Sequence, residues 1–290
     1  MATKELPVVW VQGAGCSGCS VSVLNAVDPR IQNVLLDEVV PGQHVNLRFH
    51  PTVMAGQGDP VIEVLKGAPA TLPKGYVLVV EGSIPTADGG VFCHVGEEGE
   101  KPIPFADHVE TLAKSALAVI GLGDCGAFGG VPSCAPNPTG ARGCIDFLPE
   151  RGVDTPLLNI PGCPPNPDWF VKTVAAILWT GLPKPEDLDD LRRPRWCYGQ
   201  LIHENCPRRA YFDAGIFARK PGDPGCLYER GCKGPMTYAD CADRQWNNGT
   251  NWCIRAGAPC IGCAEPRFFD RFAPVYEKTT EERLEDFKLD

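Results

Sequence analysis

The chain has 290 residues, 22% of them charged, and a net charge of −9; that is length enough for one large or two medium domains, each with a core. The acidic balance argues against nucleic acid and against an anionic membrane surface as partners. No apolar run approaches the roughly 20 residues a spanning helix needs and residues 1–7 do not read as a secretory leader, so the chain as it stands reads as cytoplasmic or membrane-associated, or as periplasmic if a twin-arginine leader has been removed.

In chain order, residues 8–12 (VVWVQ) form the short apolar run of a buried parallel strand. A Gly-rich loop follows at 13–18, then a stretch at 21–36 whose apolar positions recur with helical spacing despite Pro29. The same order repeats. Residues 76–80 (YVLVV) lead into the loop that begins at Glu81, residues 116–122 (ALAVIGL) into GDCG, and residues 157–160 (LLNI) into PGCPP and a helical run at 169–178. Strands alternating with helices predict an α/β fold with a doubly wound parallel sheet over residues 1–182. Cys16, Cys19, Cys125 and Cys163 all fall just past strand ends. In an open α/β sheet those ends share one edge, where ligands bind, so four thiols from three loops converge there. Cys93, Cys134 and Cys144 lack this placement and read as structural thiols.

Residues 183–194 (PKPEDLDDLRRP) are Pro- and charge-rich and read as a linker. Beyond them, residues 195–263 hold eight of the fifteen cysteines with little strand or helix periodicity, which predicts a smaller, irregular domain over 183–290, ordered by metal ligation. Two groups separate by spacing: His203 and Cys206 with Cys226 and Cys232, and Cys241 with Cys253, Cys260 and Cys263. Cys197 stays outside both. A disulfide scaffold fits poorly, because such scaffolds are small secreted domains and this cysteine count is odd. Zinc would accept the same donors. Iron–sulfur clusters, held by four ligands each, explain all three sets together with eleven cysteines and one histidine.

The motifs GCSGCS (15–20), VEGSIPT (80–86), GDCGAFGG (123–130), PGCPPNP (161–167), IHENCP (202–207), GCLYERGCKGP (225–235) and TYADC, NNGTNWC and PCIGCAEP (237–266) resemble, in this order and over nearly the whole chain, the small, electron-transferring subunit of nickel–iron hydrogenases. The resemblance implies a flavodoxin-like N-terminal domain with a proximal [4Fe–4S] cluster on Cys16, Cys19, Cys125 and Cys163. It also implies a distal [4Fe–4S] cluster on His203, Cys206, Cys226 and Cys232. At the medial site most family members have proline in an NWP motif and a [3Fe–4S] cluster. Here the motif is NWC, so Cys253 joins Cys241, Cys260 and Cys263 to hold a third [4Fe–4S] cluster, as in the nickel–iron–selenium branch. Oxygen-tolerant relatives carry two further cysteines where this chain has Gly18 and Gly130, which predicts an ordinary proximal cubane.

By the same resemblance, H2 is split at a Ni–Fe centre in a partner large subunit, and electrons leave through this chain to a redox partner such as a cytochrome, a ferredoxin or a quinone-linked protein. No catalytic residue is expected here; Glu81 has a tentative interface or proton role facing the large subunit, against the plainer reading of a solvated loop carboxylate. Val21 stands where many relatives have a glutamate, so no proton role carries over to it. FMN is not expected, because Cys16 and Cys19 occupy the loop that would take its phosphate. The rival functions are a standalone ferredoxin-like carrier, separated by whether a nickel-containing partner co-purifies, and a zinc scaffold, separated by colour and iron analysis.

Overall fold

The computed structural model describes residues 4–36, 42–72 and 75–280. Five strands, β1 (Lys4–Gln12), β2 (Gln43–Phe49), β3 (Val77–Glu81), β4 (Ala118–Leu122) and β5 (Leu157–Ile160), form one sheet in the order β2-β1-β3-β4-β5, and every pairing is parallel. This is the flavodoxin-like doubly wound order, whose switch point lies between β1 and β3. Parallel strands covered on both faces bury both sets of alternating side chains. Val8, Trp10, Val77, Val79, Ile120 and Ile160 face one apolar cluster, and Val9, Val11, Leu78, Val80 and Val119 face the other.

Helices α1 (Gly18–Leu24), α2 (Ile31–Leu36), α3 (Asp59–Thr71), α4 (Phe105–Ser115), α5 (Gly123–Phe128), α6 (Cys144–Glu150) and α7 (Pro167–Thr180) follow in chain order. The single helix expected over 21–36 is two helices. Pro29 lacks an amide hydrogen and disfavours helical backbone at Asp28, and the chain turns there before α2 begins. Strand β2 was not foreseen: QHVNLRF mixes polar and apolar residues because it is a sheet edge, paired to β1 alone.

Beyond residue 194 the regular elements shrink to α8 (Arg195–Tyr198), α9 (Arg209–Asp213), α10 (Cys241–Arg244) and α11 (Phe268–Arg271), with short 3-10 turns between. The stretch expected as a linker is packed rather than solvated. Asn159 of β5 donates its backbone amide to Arg192 O at 2.9 Å and its side-chain amide to Leu191 O at 2.9 Å. Arg193 is buried and donates to Asp189 Oδ2 at 2.7 Å, Glu265 Oε1 at 3.0 Å and Ala264 O at 3.0 Å. The cysteine-rich part lies on the α1/α7 face of the sheet, where Tyr198, Ile202, Leu227, Trp252 and Ile254 join the cluster of Trp10, Ile120 and Trp169. Three hydrogen bonds pin it there: Trp169 Nε1 to Asp240 Oδ1 at 2.7 Å, Asn166 Nδ2 to Gln245 O at 2.7 Å and Tyr198 Oη to Pro161 O at 2.7 Å.

Candidate metal centres

Strands β1, β4 and β5 run in one direction, so the loops after Gln12, Leu122 and Ile160 leave the sheet at a single edge. They bring Cys16, Cys19, Cys125 and Cys163 within reach of one another's charge. Burial pushes the Cys19 thiol far above its ordinary range, and Glu81, Cys125, Cys16 and Cys163 push it further. Cys125 is pushed up to about 12, by burial first and then by Asp124, Cys163 and Cys16. The backbone is cut close around these sulfurs. A side chain at Gly130 (φ +54°) would bring Cβ to 2.6 Å from Cys125 Sγ, and one at Gly123 (φ +77°) would strike Cys19 Sγ. A cysteine at Gly130 would need this cradle rebuilt, whereas one at Gly18 would bring Cβ to 3.1 Å from Cys16 Sγ.

Glu81 closes the same edge, and not as a solvated carboxylate. It is 3% exposed. Its Oε2 accepts from Trp10 Nε1 at 2.8 Å, Gln12 Nε2 at 2.9 Å and Ser20 Oγ at 2.5 Å, and its Oε1 accepts from the amides of Cys19 and Ser20, each at 3.1 Å. Helix α1 opens at Ser17 without a side-chain cap of its own. Glu81 of β3 supplies that cap from across the sheet, satisfying free first-turn amides and holding Cys19 in place.

A residue that sequence reasoning passed over sits beside Cys125. Asp124 is 1% exposed, and neither carboxylate oxygen has a hydrogen-bond partner within the chain. Burial, then the charge of Glu265, hold its pKa well above the usual carboxylate range. Its charge acts on Cys125, Cys163 and Cys263, which places it between two of the cysteine sets. The visible signal was an acidic residue immediately before a candidate ligand.

The second set assembles as its spacing proposed. The Cys241 thiol is pushed well up by burial and then by Cys263, Cys260 and Cys253, so all four members share one locality. Gly262 N–H donates to Cys260 Sγ at 3.4 Å. The loop ending at Cys263 is held by the buried Arg193–Glu265 pair, and Glu265 Oε1 also accepts from Tyr238 N at 2.7 Å.

The third set lines one pocket: His203, Cys206, Cys226 and Cys232, with Ile202, Leu227, Tyr228 and Ile254 as apolar walls. The His203 ring packs edge-on against Phe212 at 4.7 Å, and burial lowers its pKa, favouring the neutral imidazole that a metal requires. Tyr228 N–H donates to Cys226 Sγ at 3.4 Å, and the amides of Arg208 and Gly234 reach Cys206 and Cys232 and counter part of the upward push of burial. Amides aimed at sulfur stabilise its negative charge, one of the protein's levers on a cluster.

The three sets are joined end to end. The Cys163 amide reaches Cys263 Sγ, linking the sheet-edge set to the middle one. The Cys260 amide reaches Cys232 Sγ, and Lys233 N donates to Cys260 O at 2.8 Å, linking the middle set to the pocket. Among the described residues no three His, Cys, Asp or Glu side chains close tightly enough around a point to hold one metal ion. Of the remaining cysteines, Cys144 and Cys197 are core residues, and Cys93 packs against the second apolar cluster. Cys134 is half-buried.

The chain is similar to known proteins. A family model for the C-terminal part of the NiFe/NiFeSe hydrogenase small subunit matches residues 198–276, and one described as NADH ubiquinone oxidoreductase, 20 Kd subunit, matches residues 16–177. The periplasmic [NiFeSe] hydrogenase small subunit of Desulfomicrobium baculatum is 44% identical over 283 residues, covering 94% of this chain and 87% of that one. The chain belongs to the NiFe/NiFeSe hydrogenase small-subunit family. The Hydrogenase-2 small chain of Escherichia coli is 43% identical over 265 residues, covering 89% of this chain and 67% of that one. A structure of a reduced, active Ni-Fe-Se hydrogenase from Desulfomicrobium baculatum superposes with a TM-score of 0.88 at 45% identity, covering 95% of this chain and all of that one. Membership makes this a hydrogenase subunit that transfers electrons, with iron–sulfur clusters of its own and a large-subunit partner that holds the Ni–Fe centre. No helix among the described residues is long and apolar enough to cross a membrane.

Proposed function

We propose that this small subunit holds three [4Fe–4S] clusters: a proximal one on Cys16, Cys19, Cys125 and Cys163, a medial one on Cys241, Cys253, Cys260 and Cys263, and a distal one on His203, Cys206, Cys226 and Cys232. The observation that carries the reading is the gathering of the donors into adjoining sets, the third lining one pocket and bonded to the middle one through Lys233 N to Cys260 O at 2.8 Å. The donors fit the group: thiols gathered in mutual charge contact, a glycine cradle at the sheet edge, and backbone amides aimed at sulfur. When bound, such clusters supply one-electron centres whose potentials follow ligand type, hydrogen bonding to sulfur and burial.

The chain's own residues do the rest. Glu81 fixes the turn that carries Cys19. Arg193 and Glu265 fix the loop that carries Cys260 and Cys263. His203 presents a neutral donor where the other distal ligands are anionic, and this lowers the charge at that end. Cys253 is the fourth thiolate of the medial set. We divide the chain at residues 182 and 183, the sheet domain holding the proximal ligands and the following domain the other eight. The acceptor is a redox protein docking at the distal end. For the compartment we retain the reading that the chain is periplasmic if a leader has been removed, and cytoplasmic or membrane-associated otherwise; sequencing the N-terminus of the native protein decides it. The medial assignment is tested by EPR of the oxidised, anaerobically prepared heterodimer: no [3Fe–4S] signal is expected, and one integrating to one spin per protein contradicts it.

A further inference from the structure

The distal end differs in charge from the chain that carries it. The whole sequence has 27 Lys and Arg against 36 Asp and Glu, yet between Arg195 and Lys233 there are seven basic and four acidic residues. Two of the basic groups, Arg208 and Arg209, stand beside the distal donors. Arg208 lines their pocket, and its guanidinium is held by the carbonyls of Asp223 at 3.0 Å and Gly225 at 2.8 Å rather than by a carboxylate. Arg219 and Lys220 are exposed. They follow residues 216–218, which are bonded directly to the Cys226 backbone through Cys226 N to Ile216 O and Ala218 N to Cys226 O, both 2.9 Å.

The acidic residues of the same rim are occupied. Asp213 pairs with Arg209 at 2.9 Å and Glu229 with Lys278 at 2.8 Å. Glu204 accepts from Leu201 N at 3.0 Å, and Asp223 from Lys220 N at 3.3 Å. Tyr211 and Ile216, joined by the bond from Ile216 N to Tyr211 O at 2.8 Å, stand exposed at 40% and 51%, and add apolar contact area beside the charges, as protein–protein interfaces do.

We infer that the surface formed by Arg208, Arg219, Lys220, Tyr211 and Ile216 is the docking face for a small acidic one-electron carrier protein. The inference rests on the distal assignment above and adds the chemistry of the partner. Carboxylates interleaved with the basic groups disfavour an anionic lipid surface, which calls for a cluster of uninterrupted positive charge. Each H2 oxidised at the partner subunit releases two electrons and two protons; two carrier molecules each take one electron, and the protons pass to solvent. Complementary charge acts mainly on encounter, so it enters the rate at low carrier concentration and is screened by salt.

The test uses the heterodimer with H2 as reductant and three acceptors: an acidic ferredoxin, a lysine-rich c-type cytochrome and methyl viologen. For the unaltered enzyme, kcat/KM for the ferredoxin is expected to fall about tenfold between low salt and 0.3 M NaCl, while that for the cytochrome does not fall. The double variant Arg219→Glu/Lys220→Glu is expected to lose about tenfold in kcat/KM for the ferredoxin through KM, with viologen reduction undiminished. Arg219→Lys/Lys220→Arg is expected to behave as the parent. A ferredoxin rate indifferent to salt and to charge reversal overturns the inference, as does a preference for the cytochrome. Co-sedimentation with phosphatidylglycerol vesicles without ferredoxin preference also overturns it. Failure of viologen reduction in the unaltered, nickel-loaded enzyme would instead count against the distal site itself.

Discussion

The sheet half and the cysteine-rich third are held together by different means. In the first, residues 77–80, 118–120 and 158–160 are almost all fully buried, and parallel pairing satisfies the backbone. In the second, the labelled helices have four or five residues. Order there comes from turns and from buried side chains such as Trp252 and Arg193. A helix that short contributes little by itself. The sheet half therefore has a continuous core of its own, and on the cluster assignment proposed above the cysteine-rich third depends on what its cysteines hold.

Removing the iron should separate the two regions most sharply. Anaerobic chelation is expected to abolish hydrogen-exchange protection over residues 200–265 while β1, β3 and β4 stay protected; equal loss in both halves would break the comparison. Next in size is a cavity in the sheet. Ile120 is fully buried, so Ile120→Ala should cost about 2–5 kcal/mol and lower Tm, with iron content per folded protein unchanged.

Glu81→Ala leaves Trp10 Nε1 and the first-turn amides of α1 without their acceptor, at a cost of about 1–3 kcal/mol for buried donors. It should loosen the proximal cluster, seen as its faster loss of iron, while the medial and distal EPR signals persist. Glu81→Gln keeps an acceptor and should do less; turnover and cluster retention identical to the parent in both variants would remove the holding role. Cys253→Pro should leave the fold intact, convert the medial site to a three-iron cluster and raise its potential, checked by an EPR redox titration. The smallest effect is at the seam: Trp169→Phe loses the bond to Asp240 and should cost about 1 kcal/mol, read by chemical denaturation.

The two regions also differed in how plainly the sequence spoke. Strand 157–160 and the loops that carry Cys16, Cys19, Cys125 and Cys163 were legible because apolar runs and post-strand glycines have few structural meanings. The break in 21–36 was signalled by Pro29 and outweighed by the apolar spacing on either side. Strand β2 escaped notice because an edge strand needs no continuous apolar run. In the cysteine-rich third, spacing alone grouped the donors, yet the contacts that hold them were out of view. The burial of Glu81 depends on α1, about sixty positions earlier in the chain, and Arg193 finds Glu265 only once the segment thought to be a tether packs against β5. Asp124 lay in plain sight in GDCG, but nothing local distinguishes an unpartnered buried carboxyl from a solvated one.

The account stands on three four-iron sites in one small subunit. Iron and acid-labile sulfide, measured on the anaerobically purified heterodimer with nickel as the count of active centres, test this most directly. Four iron and four sulfide for each of the three sites are expected, in addition to the iron of the partner's Ni–Fe centre. Sulfide sufficient for only two clusters, or zinc in place of iron at any site, would contradict it.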